Sequence, residues 1–196
     1  MKNRLVYSGE RLRVVLVGAN DHAPPGPGEV RINQGAFGSG EHETTAMCLS
    51  LVEQQGNIGP TALDLGTGTG ILAMAAARLG CTRVVAVDPS PGAIETCKRN
   101  LALNRLENRV FPVLGLLDSI SPASAFHLVM ANLYGHLLDE LVVPLCRRLL
   151  PGGVMVLSGM LYGEDFAVRS MAEREGLLTK ASLGGEEYIA LALQRC

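Results

Sequence analysis

The stretch from Ala62 to Gly80, ALDLGTGTGILAMAAARLG, constrains the fold of this chain more than any other feature. Its apolar start predicts a buried strand, and its alanine-rich second half predicts a helix that ends at Gly80. Between the two lie Gly66, Gly68 and Gly70, separated by single threonines. A glycine turn between a strand and a helix lets a ligand contact bare backbone, and the helix N-terminus beyond it carries a partial positive charge. The stretch therefore predicts a nucleotide-like ligand.

The length of the chain and the order of its predicted elements indicate one α/β domain. The chain has 196 residues, 47% of them hydrophobic, which suits one domain with a full core and leaves little room for a second. From Thr61 onward, apolar strands alternate with helices, an order typical of a parallel sheet covered on both faces. We predict a doubly wound, Rossmann-like α/β sheet, mostly parallel with an antiparallel last strand, and a short N-terminal β extension. Residues 1–40 are expected to form the extension and a loop, and residues 41–196 the main domain.

Two segments need separate interpretation. RLRVVLVG and EVRINQ lie on either side of the proline- and glycine-rich loop HAPPGPGE, and they predict two short strands of the N-terminal extension. HLLDELVVPLCRRLL has a helical pattern. We expect Pro144 to kink or divide that helix, because proline lacks the backbone donor that the helix needs.

Charge and cysteine usage exclude several classes of function. The formal net charge is −2 and no basic stripe is present, which disfavours nucleic acid as a direct partner. The five cysteines are scattered and never paired as CxxC, so they predict neither a disulfide framework nor a metal site. No apolar run reaches the roughly 18 residues that a membrane helix needs. We therefore expect a cytoplasmic protein with no membrane partner.

The residues around the glycines indicate which nucleotide is bound. The dinucleotide fingerprint requires a glycine where this chain has Ile71, which disfavours a nicotinamide cofactor. Asp88 ends the next predicted strand, VVAVD, where a carboxylate can accept bonds from both ribose hydroxyls. Each feature also has a simpler explanation, because the glycines could form an ordinary tight turn and Asp88 could cap the following helix. Together they favour a nucleoside ligand.

The motif LDLGTGTG followed by VAVD resembles the nucleoside-binding motifs of S-adenosylmethionine-dependent methyltransferases. Over residues 10–196 the similarity is more specific and points to one family of these enzymes. GAFGSGEHETT, VAVDPSPGAI, VMANLY and PGGVMVLSGML resemble, in order and spacing, the PrmA family, which methylates protein eleven of the large ribosomal subunit. The resemblance implies S-adenosyl-L-methionine as cofactor. It also implies methyl transfer to lysine or N-terminal amines of a protein, such as a ribosomal protein.

The resemblance also implies which residues hold the cofactor. The family contacts it through a threonine, the first glycine of the turn, an aspartate and an asparagine, and all four types are present here at the matching positions. The cofactor-binding residues that we expect are Thr45, Asp64, Gly66, Gly68, Gly70, Asp88 and Asn132.

Asn132 and Leu133 are the expected catalytic residues. Asn132 follows the strand FHLVMA, which delivers its amide to the carboxyl edge of the sheet. There the carbonyl oxygens of the Asn132 side chain and of the Leu133 backbone can hold the hydrogens of an amine and orient its lone pair. The alternative for Asn132 is a turn residue that ends a strand.

Three further side chains are expected to line the site or the loop beside it. Phe37 either forms a wall for the methyl donor or substrate or packs within its loop. His42 either caps the next helix or takes part in binding. Tyr134 either stacks on the substrate or packs, and packing is the favoured alternative.

The chain departs from the PrmA pattern in a few places. The family usually has cysteine where this chain has Thr67, and Ile-Leu where it has Leu133 and Tyr134. The family also carries an N-terminal substrate-recognition domain ahead of the segment that matches GERLRVV, and this chain begins only a few residues before that segment. Either that domain was removed, or the protein is a stand-alone catalytic domain with a different substrate. A small-molecule N-methyltransferase and a cofactor-binding module without catalysis therefore stay open as alternatives.

Overall fold

The structure of the chain, a computed structural model, describes residues 3–18, 21, 23–33 and 40–196. Within these residues a three-stranded N-terminal sheet precedes a seven-stranded main sheet. The N-terminal strands are β1 (Arg4–Ser8), β2 (Arg13–Val17) and β3 (Glu29–Asn33). The main-sheet strands are β4 (Thr61–Leu65), β5 (Arg83–Asp88), β6 (Val110–Leu114), β7 (Phe126–Asn132), β8 (Leu149–Leu161), β9 (Leu177–Gly184) and β10 (Tyr188–Arg195). The helices are α1 (Glu43–Gln54), α2 (Ile71–Arg78), α3 (Pro91–Asn104), α4 (Gly135–Cys146) and α5 (Asp165–Arg174).

The main sheet has the predicted doubly wound topology. Its strand order is β6-β5-β4-β7-β8-β10-β9. The strands from β6 to β8 are parallel, β10 runs antiparallel to β8, and β9 runs antiparallel to β10. The predicted fold class is confirmed, including the antiparallel last strand. Because the strand order reverses between β4 and β7, a ligand is expected at the carboxyl ends of these strands.

Alternate residues of the central strands supply the two faces of the core. In β4, Ala62 belongs to a hydrophobic cluster with α1, α2 and α3, whereas Leu63 belongs to a second cluster with α4 and α5. Successive side chains of a strand point to opposite faces, so a sheet that is covered twice needs apolar residues at every position. This explains the unbroken apolar runs in the sequence. Among the described residues, no helix combines the length and the apolar character that crossing a membrane requires.

The N-terminal sheet has three strands rather than the two predicted. β1 pairs antiparallel with β2, and β2 pairs parallel with β3. β1 was missed because most of its residues are exposed and give no clear apolar alternation. Apolar side chains of β2 and β3, such as Val14 and Ile32, join the cluster that contains α1, α2 and α3. The division into residues 1–40 and 41–196 stays a prediction.

Two buried asparagines of α3 form hydrogen bonds with the backbone groups at the outer edge of β3. The Arg31 N–H donates to Asn104 Oδ1 (2.8 Å), and Asn104 Nδ2 donates back to the Arg31 carbonyl (2.6 Å). The Asn33 N–H donates to Asn100 Oδ1 (2.9 Å), and Asn100 Nδ2 donates to the Thr69 carbonyl (2.9 Å). The two amides thus replace a neighbouring strand for backbone groups that would otherwise be buried without partners. Asn100 also joins the end of β3 to the glycine turn.

The expected division of the fourth helix at Pro144 was wrong. α4 is one helix, and Pro144 lies in its last turn, two residues before it ends at Cys146. A proline that close to the C-terminus removes one intrahelical bond but leaves few later turns to disrupt. The predicted helical segment continued through RRLL, whereas Leu149 already begins β8.

A carboxylate at the end of α1 fastens the N-terminal sheet to the main domain. Glu53 accepts hydrogen bonds from the Arg11 N–H (2.5 Å), the Leu12 N–H (2.8 Å) and the Tyr7 hydroxyl (2.8 Å). Partial burial opposes the charge of Glu53, but these bonds outweigh it and hold the pKa of Glu53 below its ordinary value.

We expect Glu53→Gln to lower the free energy of unfolding at pH 7 by about 1 kcal/mol, since the bonds to a partly exposed charge become bonds to a neutral amide. A depressed carboxyl pKa adds stability above the unfolded-state pKa of about 4.3 and loses it as the pH falls through the folded-state value. The difference from wild type should therefore disappear in acid. Urea unfolding at pH 7 and at decreasing pH measures it, with Glu173→Gln on the exposed side of α5 as control. Equal stability of Glu53→Gln and wild type at pH 7 would contradict the expectation.

Candidate functional site

The carboxyl ends of β4, β5 and β7 open onto a cavity of about 460 Å³. The predicted site residues that line it are His42, Thr45, Gly66, Gly68, Asp88, Asn132, Leu133 and Tyr134. Asp64 and Gly70 lie beside the cavity wall, within or next to the glycine turn, and do not line it. Phe37 lies outside the described residues.

The glycine turn forms the floor of the cavity. Gly66, Gly68 and Gly70 have φ angles of +74°, +54° and +83°, a region that favours glycine. A Cβ atom on Gly66 would overlap only the tip of the Leu133 side chain, which can move, so the positive φ is the stronger reason for glycine here. The Gly66 and Thr67 N–H groups donate to the Val87 carbonyl (2.8 and 3.0 Å) and hold the turn against β5. A bare, rigid backbone thus faces the cavity.

Asp64 supports the turn from beneath. Its Oδ2 accepts from the Thr67 hydroxyl (2.6 Å) and from the Ala73 N–H in the first turn of α2 (3.1 Å). Thr67, a departure from the family pattern, therefore supplies a donor to the buried carboxyl. Burial raises the pKa of Asp64 to about 6 although both bonds lower it, and the nearby Asp88 carboxylate raises it further.

Asp88 accepts hydrogen bonds from the turns on both sides of it, but it is not the cap of α3, and its bonds to ribose hydroxyls stay a prediction. Its Oδ2 accepts from the Gly68 N–H (2.9 Å), and its Oδ1 accepts from the Ser90 N–H (2.9 Å). Ser90 is the N-cap of α3, and its hydroxyl accepts from the Ala93 N–H (3.4 Å). A carboxylate offers about four acceptor positions, so these two bonds leave acceptor capacity for hydroxyl groups of a ligand. Asp88 braces both neighbouring turns and still lines the cavity.

Asn132 and Thr45 meet on the opposite wall. Asn132 is the last residue of β7, and its Nδ2 donates to the hydroxyl of Thr45 (3.3 Å) in the first turn of α1. This bond uses one of the two N–H groups of the amide, and the amide oxygen can accept a hydrogen bond from a ligand.

Gly159 is a cavity residue that the sequence interpretation missed. Its φ angle is +99°, and a Cβ atom there would overlap the carbonyl oxygen of Leu133. The Leu133 N–H donates to the Ser158 carbonyl (3.0 Å), which holds the two segments together. A glycine inside the buried strand motif VMVLSGML is a signal for such a close backbone approach.

The rim of the cavity contains three aromatic rings. His42 is the N-cap of α1, as one alternative predicted: its Nδ1 accepts from the Thr44 N–H (3.4 Å). Its ring also meets the edge of Tyr188, 5.0 Å away. Tyr134 is 68% exposed and stacks on His136, with ring centroids 6.2 Å apart. Whether it also stacks on a substrate stays a prediction. Tyr188 lines the cavity as well, and no sequence motif indicated it.

Among the residues that the structure describes, no group of three or more His, Cys, Asp or Glu side chains could hold a metal ion. Besides backbone groups, the polar side chains that line the cavity supply one carboxylate, one amide, one imidazole and several hydroxyls. Such groups bind and orient polar ligands through hydrogen bonds.

We expect Asp64→Asn to change how stability depends on pH. Since the folded state raises the pKa of Asp64, its contribution is fully present below the unfolded-state pKa of about 3.9 and is lost as the pH rises through about 6. Both donors converge on one oxygen, which the amide oxygen of asparagine can replace. The stability of the variant relative to wild type should therefore rise by about 2–3 kcal/mol between pH 4 and pH 6.

Thermal or urea unfolding across this pH range measures the Asp64 effect. Asp139→Asn, at an exposed position of α4, is the control and should run parallel to wild type. Parallel stability profiles for Asp64→Asn and wild type would show that Asp64 is not titrating in this range.

This chain is similar in sequence to ribosomal protein L11 methyltransferases of bacteria. The chain is 39% identical over 191 residues to the ribosomal protein L11 methyltransferase of Pelobacter propionicus, covering 93% of this chain and 61% of that protein. It is 37% identical over 174 residues to the ribosomal protein L11 methyltransferase of Desulforapulum autotrophicum, covering 87% and 57%. The chain therefore spans less than two thirds of the length of these curated relatives.

A solved structure and a family model point to the same family as these relatives. A crystal structure of ribosomal protein L11 methylase from Lactobacillus delbrueckii subsp. bulgaricus matches with a TM-score of 0.81 and 27% identity, covering 95% of this chain and 96% of that one. The family model of ribosomal protein L11 methyltransferase (PrmA) matches residues 8–196, nearly the whole chain. The chain belongs to the ribosomal protein L11 methyltransferase (PrmA) family.

Proposed function

We propose that this chain is the catalytic domain of an S-adenosyl-L-methionine-dependent N-methyltransferase that acts on lysine or N-terminal amines of ribosomal protein L11. The observation that carries the proposal is the meeting of Asp88, the glycine turn and the Asn132–Thr45 pair around one cavity. The names of the relatives support the choice of substrate. We also propose a cytoplasmic location, with a protein partner and no direct contact with nucleic acid or membrane.

The residues around the cavity fit this cofactor. The glycine turn offers backbone without side chains, Asp88 keeps acceptor capacity for ribose hydroxyls, and the first residues of α2, Ile71 and Leu72, line the cavity. The positive end of the α2 dipole suits the carboxylate of the methionine part. Ile71 places a bulky side chain where a dinucleotide turn needs glycine. When bound, the cofactor supplies a methyl group on a positively charged sulfur.

The chain's own residues must prepare the amine for attack. A lysine with its ordinary pKa of about 10.4 is neutral in only about one molecule in a few thousand at pH 7, so the site must favour loss of its proton. The apolar walls formed by Leu133 and Leu137 desolvate the ammonium, which lowers its pKa. The Asn132 amide oxygen then accepts a hydrogen of the amine. The bond to Thr45 fixes this amide orientation, because it engages the nitrogen.

Two measurements test the proposed function. Calorimetry should show that S-adenosyl-L-methionine binds and that NAD does not. Mass spectrometry of purified ribosomal protein L11, after incubation with the protein and the cofactor, should show added methyl groups on lysine or N-terminal amines. NAD binding without a response to the sulfonium would refute the cofactor assignment. Cofactor binding with an unmodified L11 would refute the substrate, and methyl label in small metabolites would then favour a small-molecule N-methyltransferase.

We expect Asn132→Ala to slow methyl transfer by about 10- to 150-fold, which corresponds to the loss of about 1.5–3 kcal/mol from a bond that strengthens as charge develops on the nitrogen. The loss should fall on kcat and on kcat/KM together. Cofactor affinity should fall less than it does for Asp88→Ala. Single-turnover transfer at saturating cofactor measures the rate, with the exposed Asn108→Ala as control. A wild-type rate for Asn132→Ala would reduce Asn132 to a residue that ends a strand.

A further inference from the structure

Aromatic and aliphatic side chains are concentrated on the surface around the cavity mouth. Tyr134 is 68%, Tyr162 55% and Phe166 78% exposed, and Leu161 is also exposed. With Tyr188, four of the eight tyrosines and phenylalanines of the chain belong to this region. Exposed apolar side chains are common when they are scattered, but a group of them beside a cavity indicates a binding surface.

Backbone and side-chain contacts join these residues into one wall. Tyr188 lines the cavity and pairs with Leu161 across β10 and β8. Tyr162 reaches the turn between β9 and β10, where its hydroxyl donates to the Gly185 carbonyl (2.9 Å) and its N–H donates to the Glu187 carbonyl (3.2 Å). Phe166 follows in the first turn of α5. Tyr134 lines the cavity, Tyr162 adjoins the turn before Tyr188, and Phe166 follows four residues after Tyr162 in the chain.

The turn between β9 and β10 is anchored to the helix that holds Thr45. The Glu43 carboxylate, at the start of α1, accepts from the backbone N–H groups of Glu186, Glu187 (3.0 Å) and Tyr188 (3.2 Å). These bonds, led by the one from Glu186, hold the pKa of Glu43 below its ordinary value. The turn contributes only backbone N–H groups to these bonds, so the side chains of Glu186 and Glu187 stay exposed at the mouth.

Charge complementarity indicates what this surface binds. Glu186 and Glu187 add two negative charges beside the exposed rings, and Glu164 stands close to Gly135 at the start of α4. A negative potential attracts a lysine-bearing segment and repels the phosphate backbone of RNA. The apolar rings suit the aliphatic stem of lysine and its apolar neighbours.

We propose that the surface formed by Tyr134, Leu161, Tyr162, Phe166, Glu186 and Glu187, here called the mouth surface, docks the lysine-bearing segment of the protein substrate. This proposal rests on the proposed function and adds to it the chemistry of substrate recognition. The rings hold the apolar part of the segment, and the two glutamates draw the ammonium toward the cavity. Selection of the segment thus takes place outside the cavity that holds the cofactor.

The test is calorimetric binding of purified ribosomal protein L11 to the full chain and to charge-reversed variants. E186K/E187K should weaken binding by about tenfold at low salt, because attraction becomes repulsion. The matched control E107K/E173K makes the same change of charge at exposed positions of the loop after α3 and of α5, and it should stay within about twofold of wild type. Phe166→Ser should weaken binding about threefold or more. Leu178→Ser, which changes an exposed apolar residue of β9 outside the mouth surface, should not weaken it. The affinity of every variant for S-adenosyl-L-methionine should match that of wild type.

Methyl transfer to L11 by the same variants separates the two proposals. An increase of KM for E186K/E187K with unchanged kcat supports docking at the mouth surface. If wild type methylates L11 but the variants show wild-type KM and affinity, the docking proposal is refuted and the proposed function stands. If L11 binds through Glu186 and Glu187 but gains no methyl group, the proposed function is refuted and docking stands. If wild type neither binds nor methylates L11, both are refuted.

Discussion

The left-handed backbone of the glycine turn is the constraint on which the site depends. Three residues with positive φ bring the chain from β4 into α2 within a few residues, and only glycine adopts such angles without strain. A turn of this kind leaves backbone donors without helical or sheet partners. The buried carboxyl of Asp64 satisfies one of them at Ala73 and also holds the Thr67 hydroxyl, so the turn is supported from its buried side. Its other side is then free to face a ligand.

The same turn connects parts of the chain that are distant in sequence. Asp88 joins the Gly68 N–H to the start of α3, and Asn100 joins the Thr69 carbonyl to the end of β3. β3 in turn leads into the segment that ends at α1, where Thr45 meets Asn132. The N-terminal sheet is therefore more than an extension of the domain. It is connected to the turn through the Asn100 side chain and to the far end of α1 through Glu53.

Most of the fold could be predicted because its signals are local. Alternation of apolar strands and helices predicted the parallel sheet. The meeting of Asp88 and Asn132 followed from a general rule, since the carboxyl ends of parallel strands share one edge. Tyr188 was missed because it reaches the site through the pairing of β10 with β8, and no local pattern predicts which residue of an antiparallel pair lies at the cavity. Gly159 was missed although a glycine inside a buried strand signals a close backbone approach, because the segment that approaches it, at Leu133, is distant in the sequence. The exposed strand β1 was missed because it has too few buried residues to alternate.

In the proposed function, cofactor binding and substrate selection depend on different kinds of contact. The floor of the cavity is built from backbone geometry and buried polar groups, where almost any substitution leaves a donor unpaired or a glycine replaced. The turn that carries the two glutamates of the mouth surface is held by bonds to its backbone rather than to its side chains. Glu43 anchors the turn between β9 and β10 through backbone N–H groups, so the side chains at Glu186 and Glu187 can change without removing the anchor. Under the two proposals, the surface that would meet a protein substrate can therefore change while the cavity groups that would position the methyl donor and the amine remain in place.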